Sequence, residues 1–195
     1  MGEAVEDARR ALSAGGVIVI PTDTVYGLAT RAGDQPGVER LYDLKGRPQT
    51  RPFQVLVDGP VSLEDFGEHS DLASALASAF WPGPLTIVVR ASARAPAGLV
   101  HEGRIGLRAP DHEVPLALVA ASGPLAATSA NRSGKPTPAT VDEVRALFGD
   151  AVAAYIDGGV IETVASTVVD VAEDTISVLR EGSIGADALR KAIGA

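Results

Sequence analysis

The sequence contains no cysteine, and this absence excludes disulfide bonds, thiolate nucleophiles and cysteine-ligated zinc. The three histidines, His69, His101 and His112, do not show the spacing of metal ligands. No apolar run approaches the roughly 20 residues that a transmembrane helix needs. The acidic N-terminal segment also lacks the basic flank and apolar core of a signal peptide. We therefore expect a cytoplasmic protein with no membrane segment and no dedicated metal site.

Several common catalytic motifs are missing as well. There is no Walker A sequence, no G-x-G-x-x-G after a strand, no H-E-x-x-H and no G-x-S-x-G. The chain has only one Trp, three Tyr and four Phe, and its net charge is −8. Proteins that bind duplex nucleic acid usually present a basic face, and those that bind single strands need aromatic stacking platforms. The composition therefore argues against a nucleic-acid-binding module.

Basic residues are fewer than acidic residues in this chain, but several of them cluster in stretches without any acidic residue. Residues 44–57, 104–110 and 126–141 each contain cations and no acidic residue. The cations in these stretches are Lys45, Arg47, Arg51, Arg104, Arg108, Arg132 and Lys135. Each stretch alone could be a solvated loop. Three of them in an acidic chain favour a focused anion site.

The pattern of apolar residues predicts one α/β domain over residues 1–195, with a strongly twisted, mixed β-sheet flanked by helices. The chain is organised around residues 17–28, VIVIPTDTVYGL, where a buried strand delivers hydroxyl and carboxylate groups into a loop. Strands are predicted at 17–20, 53–57, 85–89, 105–107, 125–127, 155–156, 167–171 and 176–179. Helices are predicted near 5–12 and at 36–44, 72–80, 114–121, 141–148 and 186–193.

Polar side chains follow several of these strands. Residues 22–24, 128–131 and 165–170 are rich in Ser, Thr and Asn, which favour turns but also supply hydrogen bonds to ligands at strand ends. Together with the grouped cations, they predict a polar, Arg-rich cavity for a small anionic ligand, such as a nucleotide with a carboxylate-bearing molecule. The residues alone do not name a reaction.

Seven short motifs resemble those of the YrdC-like threonylcarbamoyl-AMP synthases, in the same order. They are PTDTVYGL (21–28), KGRP (45–48), WPGPLT (81–86), RAPDH (108–112), TSAN (128–131), STVVD (166–170) and REG (180–182). Each motif is weak alone, but seven in order with compatible spacing are specific. The resemblance runs from about residue 15 to residue 182.

The resemblance implies a YrdC-like fold around a large, positively charged cavity. It also implies an enzyme, a nucleotidyltransferase that converts L-threonine, bicarbonate or CO2, and ATP into threonylcarbamoyl-AMP and pyrophosphate. The product would serve the N6-threonylcarbamoyl modification of adenosine 37 in tRNA, through a downstream tRNA threonylcarbamoyl transferase complex. Mg²⁺ is expected to arrive with ATP, bound largely by phosphates and water.

The resemblance also implies roles for individual residues. The threonine-binding residues would be Thr24, Arg108, Ala127 and Ser166. The ATP-binding residues would be Arg47, Arg51, Arg104, Ser129, Asn131, Thr137 and Arg180. Lys45 and Arg47 would be catalytic, through charge stabilisation at the phosphates.

Three features depart from the family pattern. Ala165 stands where proline usually precedes the Ser-Thr pair, and Leu56 stands where some members place a histidine near threonine. The chain also ends soon after Gly182, so it resembles the short form, without the extra C-terminal domain of longer members. Whatever covers bound ATP in those longer members is expected to be absent or replaced.

Two other functions remain as alternatives. The first is a non-catalytic module that binds double-stranded RNA or tRNA, for which a cationic cavity could hold the phosphate backbone. The second is a related carbamoyl-adenylating activity that uses carbamoyl phosphate. Domains with that activity lie in much longer chains with zinc-finger-like cysteines, which this sequence does not have.

Overall fold

The computed structural model describes residues 2–50, 52–162 and 164–193. Its helices are α1 (Gly2–Ser13), α2 (Gln35–Lys45), α3 (Leu63–Phe66), α4 (Asp71–Phe80), α5 (Glu113–Ser122), α6 (Val141–Phe148) and α7 (Ala186–Ala192). Its strands are β1 (Ile18–Ile20), β2 (Gly27–Arg31), β3 (Gln54–Leu56), β4 (Leu85–Arg90), β5 (Arg104–Arg108), β6 (Leu125–Ser129), β7 (Ala154–Tyr155), β8 (Thr167–Asp170) and β9 (Ser177–Arg180). Within the described ranges, no helix is both long and apolar enough to cross a bilayer.

The helices and strands predicted from the sequence are confirmed, with shifts of one to three residues at their ends. A capping box begins α6, because the Thr140 side chain accepts from the Glu143 amide and the Glu143 side chain accepts from the Thr140 amide. The strand β2 and the short helix α3 were not predicted from the sequence. Gly27–Arg31 contains little of the β-branched and aromatic character that indicates a strand, and long-range pairing holds it in the sheet.

The strands form one mixed sheet in the order β7-β1-β2-β6-β3-β5-β4-β8-β9. β1 runs parallel to β7, β3 to β5 and β4 to β8, whereas the remaining neighbours are antiparallel. The prediction of a mixed sheet is therefore confirmed. The order of the strands in the sheet differs strongly from their order in the chain, so motifs that are distant in sequence become neighbours.

Side chains from the two faces of the sheet form two apolar clusters. Because successive strand residues point to opposite faces, Ile18 and Ile20 pack into one cluster and Val19 into the other. The first cluster contains residues of α1 and α5, among them Leu12 and Leu118. The second and larger cluster contains buried residues of α2, α4, α6 and α7.

The same alternation separates the larger cluster from an open cavity. In β4, Ile87 packs into the core while Thr86 and Val88 line the cavity. In β5, Leu107 packs into the core while its neighbours on both sides line the cavity. The cavity is therefore a part of the sheet surface that no helix fills.

Residues 156–166 connect β7 to β8, which lie near opposite edges of the sheet. Seven strand spacings separate these strands in the sheet order, or roughly 34 Å across a flat sheet. A segment of this length reaches roughly 40 Å when fully extended. On a flat sheet, a connection of this length would have little slack. Its described residues form no helix or strand.

Candidate active site

The cavity has a volume of about 830 Å³ and lies over strands β3, β4, β5, β6, β8 and β9. This volume suits a nucleotide together with a small metabolite. Eight of the predicted site residues line it, namely Thr24, Arg47, Arg104, Arg108, Ala127, Ser129, Ser166 and Arg180. The structure therefore brings residues from most of these motifs together around one cavity.

The closed end of the cavity is built around Arg108, of which only 2% is exposed. Its Nε donates to the Gly83 carbonyl at 3.0 Å, one terminal nitrogen donates to Thr24 Oγ1 at 2.9 Å, and the other donates to Asp23 Oδ1 at 2.5 Å. Burial lowers the pKa of Arg108, and the Asp23 carboxylate opposes that shift. The loop of residues 21–28 and the turn after α4 together fix this guanidinium.

A second hydrogen-bonded chain runs along the floor from β3 to β9. Thr86 Oγ1 donates to Gln54 Oε1 at 2.7 Å and lies 3.0 Å from Ser166 Oγ. Arg180 donates to Ser166 Oγ at 2.9 Å and, through Nε and a terminal nitrogen, to the Ser166 carbonyl at 3.0 and 2.9 Å. Burial lowers the pKa of Arg180. This chain links Ser166, predicted to bind threonine, with Arg180, predicted to bind ATP.

The close approach of β9 to the start of β8 depends on Gly182. A Cβ at this position would lie 2.2 Å from the Ala165 carbonyl oxygen and 2.6 Å from the Thr167 amide nitrogen. Both are backbone atoms, so a side chain would force the two segments apart. The Arg-Glu-Gly motif therefore supplies both a cavity cation and the space that brings it to Ser166.

Lys45 is buried just outside the cavity lining, at the C-terminal end of α2. Its Nζ donates to the Ser129 carbonyl at 2.5 Å, to Ser129 Oγ at 3.0 Å and to Asn131 Oδ1. Burial, followed by the nearby Arg47 charge, lowers the pKa of Lys45 to about 7. Among the described residues, Lys45 and Asn131 thus support Ser129 from behind the lining.

Arg47 and Arg104 lie on the lining itself. The Arg47 guanidinium carbon sits 5.4 Å from the centre of the Phe53 ring, and one of its nitrogens donates to the Pro52 carbonyl at 3.4 Å. Arg104 donates to Asp170 Oδ2 at 2.8 Å and to Glu173 Oε1 at 3.2 Å. These cations, with Arg180, make this end of the cavity suited to phosphate groups.

Some predicted residues lie elsewhere. Thr137 is half-buried outside the cavity lining, and Arg51 lies outside the described residues. The third acid-free stretch, 126–141, does not bring its cations to the site, so that expectation was wrong. Arg132 is exposed, donates to the Leu44 carbonyl and stacks over Phe148, and Lys135 is exposed.

The structure also adds residues that the sequence analysis did not single out. Gln54, Thr86 and Gly106 line the cavity, and Asp23 and Asp170 hold its arginines. Thr86, Asp23 and Asp170 lie inside motifs that were identified. Gln54 and Gly106 do not, but the alternation of residues along β3 and β5 predicts that their positions face the cavity. No group of three or more acidic or histidine side chains in the described ranges is arranged to hold a metal ion.

Comparison with known proteins connects this geometry to one family. The family model Sua5_yciO_yrdC, described as Telomere recombination, matches residues 10–182. The threonylcarbamoyl-AMP synthase of Bacillus subtilis strain 168 is 38% identical over 186 residues, which cover 91% of this chain and 53% of that protein. The chain therefore spans about half the length of this relative.

Two crystal structures show the same fold. Sua5 from P. abyssi, complexed with L-threonine, matches with a TM-score of 0.92 and 36% identity, over 97% of this chain and 57% of that one. E. coli YciO matches with a TM-score of 0.90 and 27% identity, over 97% of this chain and 94% of that one.

Proposed function

This chain belongs to the Sua5_yciO_yrdC family, and we propose that it is a threonylcarbamoyl-AMP synthase. The reaction would combine L-threonine, bicarbonate and ATP to give threonylcarbamoyl-AMP, pyrophosphate and water. One observation carries the proposal. The cavity joins a closed end, with hydroxyls around a buried guanidinium, to an open end with three further arginines.

The closed end suits the amino acid. The bonds of Arg108 to Gly83, Thr24 and Asp23 use one N–H on each nitrogen, and a guanidinium carries five. One N–H on each terminal nitrogen is then left for the threonine carboxylate. The hydroxyls of Thr24 and Ser166 offer further hydrogen bonds to its polar groups.

The open end suits ATP. In the first step, bicarbonate takes up a proton and releases water to give CO2, the neutral threonine amine attacks this CO2, and the nitrogen loses a proton to leave a carbamate. In the second, a carbamate oxygen attacks the α-phosphorus and the bond to pyrophosphate breaks. Negative charge accumulates on the phosphates in this step, so fixed guanidinium donors lower its barrier. Arg47, Arg104 and Arg180 line the cavity and would supply these donors.

Mg²⁺ belongs to this proposal as a companion of ATP. The cavity end with the arginines offers cations and few free carboxylates, since Asp170 already accepts from Arg104 and from the Ala172 amide. Such a donor set fits an ion held by phosphate oxygens and water. When bound, it would neutralise phosphate charge beside the arginines.

The product would be a carbamoyl donor for N6-threonylcarbamoyladenosine formation in tRNA by a downstream transferase complex. The RNA-binding alternative is the weaker one, because a polynucleotide backbone makes no use of a buried guanidinium at a closed end. The pyrophosphate-release experiment described next distinguishes the proposed reaction from the carbamoyl phosphate alternative.

Pyrophosphate release tests the proposal. Release should require ATP, threonine and bicarbonate together. Omission of threonine should reduce it to background, and carbamoyl phosphate should not replace the other two. Release that needs carbamoyl phosphate but not threonine would show that the second alternative is correct.

A further inference from the structure

Two carboxylates hold cavity arginines in salt bridges and have no role in the reaction as described above. Asp23 belongs to the PTDTVYGL motif and Asp170 to the STVVD motif. Their side chains are only 14% and 10% exposed. An ionised carboxylate is costly to bury unless it is paired, so each needs a structural or functional reason.

Asp23 holds the arginine of the closed end. Its Oδ1 accepts from a terminal nitrogen of Arg108 at 2.5 Å, and the Arg108 side chain is 3% exposed. The carboxylate both neutralises the buried guanidinium and restrains its rotation. Asp23, Thr24 and the Gly83 carbonyl each accept one N–H of Arg108. The two remaining N–H groups of the guanidinium are directed away from these acceptors.

Asp170 holds an arginine of the open end in a similar way. Its Oδ2 accepts from Arg104 at 2.8 Å, while Oδ1 accepts from the Ala172 amide at 2.9 Å, so both oxygens are fixed. The register places Asp170 beside Val88 of β4, and Val88 beside Gly106 of β5. Glu173 also accepts from Arg104, but its side chain is 58% exposed and contributes less.

We propose that Asp23 and Asp170 are positioning residues with separate tasks: Asp23 orients Arg108 for threonine, and Asp170 orients Arg104 for ATP. The proposal rests on the proposed function and refines it. It assigns one acidic partner to each half of the cavity. The carboxylate oxygens already accept from Arg108, Arg104 and the Ala172 amide, so each carboxylate acts through its arginine.

The two tasks predict opposite effects on the two substrates. Asp23→Asn should raise the Kd of threonine by about tenfold, the size typical of a weakened charge-assisted contact, and leave the Kd of ATP nearly unchanged. Asp170→Asn should raise the Kd of ATP and leave that of threonine nearly unchanged. Asp65→Asn is the matched control, because Asp65 pairs with Arg94 on the surface and its side chain is 52% exposed.

Isothermal titration calorimetry of the full chain with L-threonine and with ATP measures these constants without turnover, and circular dichroism checks the fold. If Asp23→Asn does not fold, Asp23→Glu keeps the charge and should still weaken threonine binding alone. Equal effects on both substrates, or none, would overturn the positioning roles while wild-type binding stands. Failure of the wild-type protein to bind threonine would instead contradict the proposed function, and this proposal with it.

Discussion

At the scale of single residues, the cavity cations are held by groups from other motifs. Arg108 donates to the Gly83 carbonyl, Arg180 to that of Ser166 and Lys45 to that of Ser129. A sequence can indicate which residue types form an anion site. It cannot indicate which carbonyl holds which cation, because these partners are 14 to 84 residues apart.

Ser166→Ala tests the division of the cavity at this scale. The change removes hydrogen bonds to Thr86 and Arg180, but Arg180 keeps two bonds to the carbonyl of residue 166. We expect the KM for threonine to rise about tenfold, as for an unpaired polar group in a closed site. The KM for ATP should change much less. Steady-state titration of each substrate measures both, and the reverse pattern would show that the assignment is wrong.

Gly106 tests whether the floor of the cavity must stay open. It lies between Arg104 and Arg108 on β5, and a Cβ there would make ordinary contacts of 3.5 and 3.6 Å with Thr86 and Val88. Gly106→Ala should therefore bind both substrates. Gly106→Leu should weaken binding by more than about tenfold through steric exclusion, with a similar unfolding temperature. Normal binding by the leucine variant would place the ligands elsewhere.

Lys45 makes stability depend on pH. Its pKa in the folded protein is about 7, below the ordinary 10.5. Between these values the unfolded chain binds the proton more readily, so the free energy of unfolding should rise as pH increases from 7 towards 10.5. One group contributes at most about 1.4 kcal/mol per pH unit. Urea denaturation at several pH values should show this slope, and Lys45→Met should remove it; an unchanged slope in the variant would contradict the shift.

At the scale of elements, alternation along the strands was readable from the sequence, and their pairing was not. Residues 104–108 alternate between cationic or small and apolar residues, which indicates one face towards a polar cavity and one towards the core. The neighbours of β5 in the sheet are β3 and β4, which no local pattern specifies. The same limit explains the missed strand β2 and the exposed cations of residues 126–141.

Tyr26 anchors the connection that crosses from β7 to β8. Its hydroxyl accepts from the Gly158 amide at 2.8 Å and donates to the Gly159 carbonyl at 2.8 Å. Tyr26→Phe should lower the free energy of unfolding by about 1–3 kcal/mol, because it removes two hydrogen bonds that each contribute about 0.5–1.5 kcal/mol. Chemical denaturation measures this change, with Tyr155→Phe as the control, because the Tyr155 hydroxyl donates to the Gly149 carbonyl, six residues away on an exposed surface. Equal losses in both variants would argue against a special anchoring role.

At the scale of the whole molecule, an acidic protein encloses a cationic cavity. The net charge is −8, yet among the residues that the structure describes four arginines line the cavity against two carboxylates, Glu102 and Asp170. The sheet order gathers these arginines from residues 47 to 180 onto one surface. This focused charge favours small polyanions over extended ones. The central claim is that both substrates meet in this one cavity.

Product analysis with labelled bicarbonate tests that claim most directly. The protein is incubated with L-threonine, ATP and ¹³C-bicarbonate, and the nucleotide products are identified by mass spectrometry. The account predicts threonylcarbamoyl-AMP that carries the labelled carbon in its carbamoyl group, formed in step with pyrophosphate. An adenylate without threonine, or a threonylcarbamoyl group without the label, would contradict it.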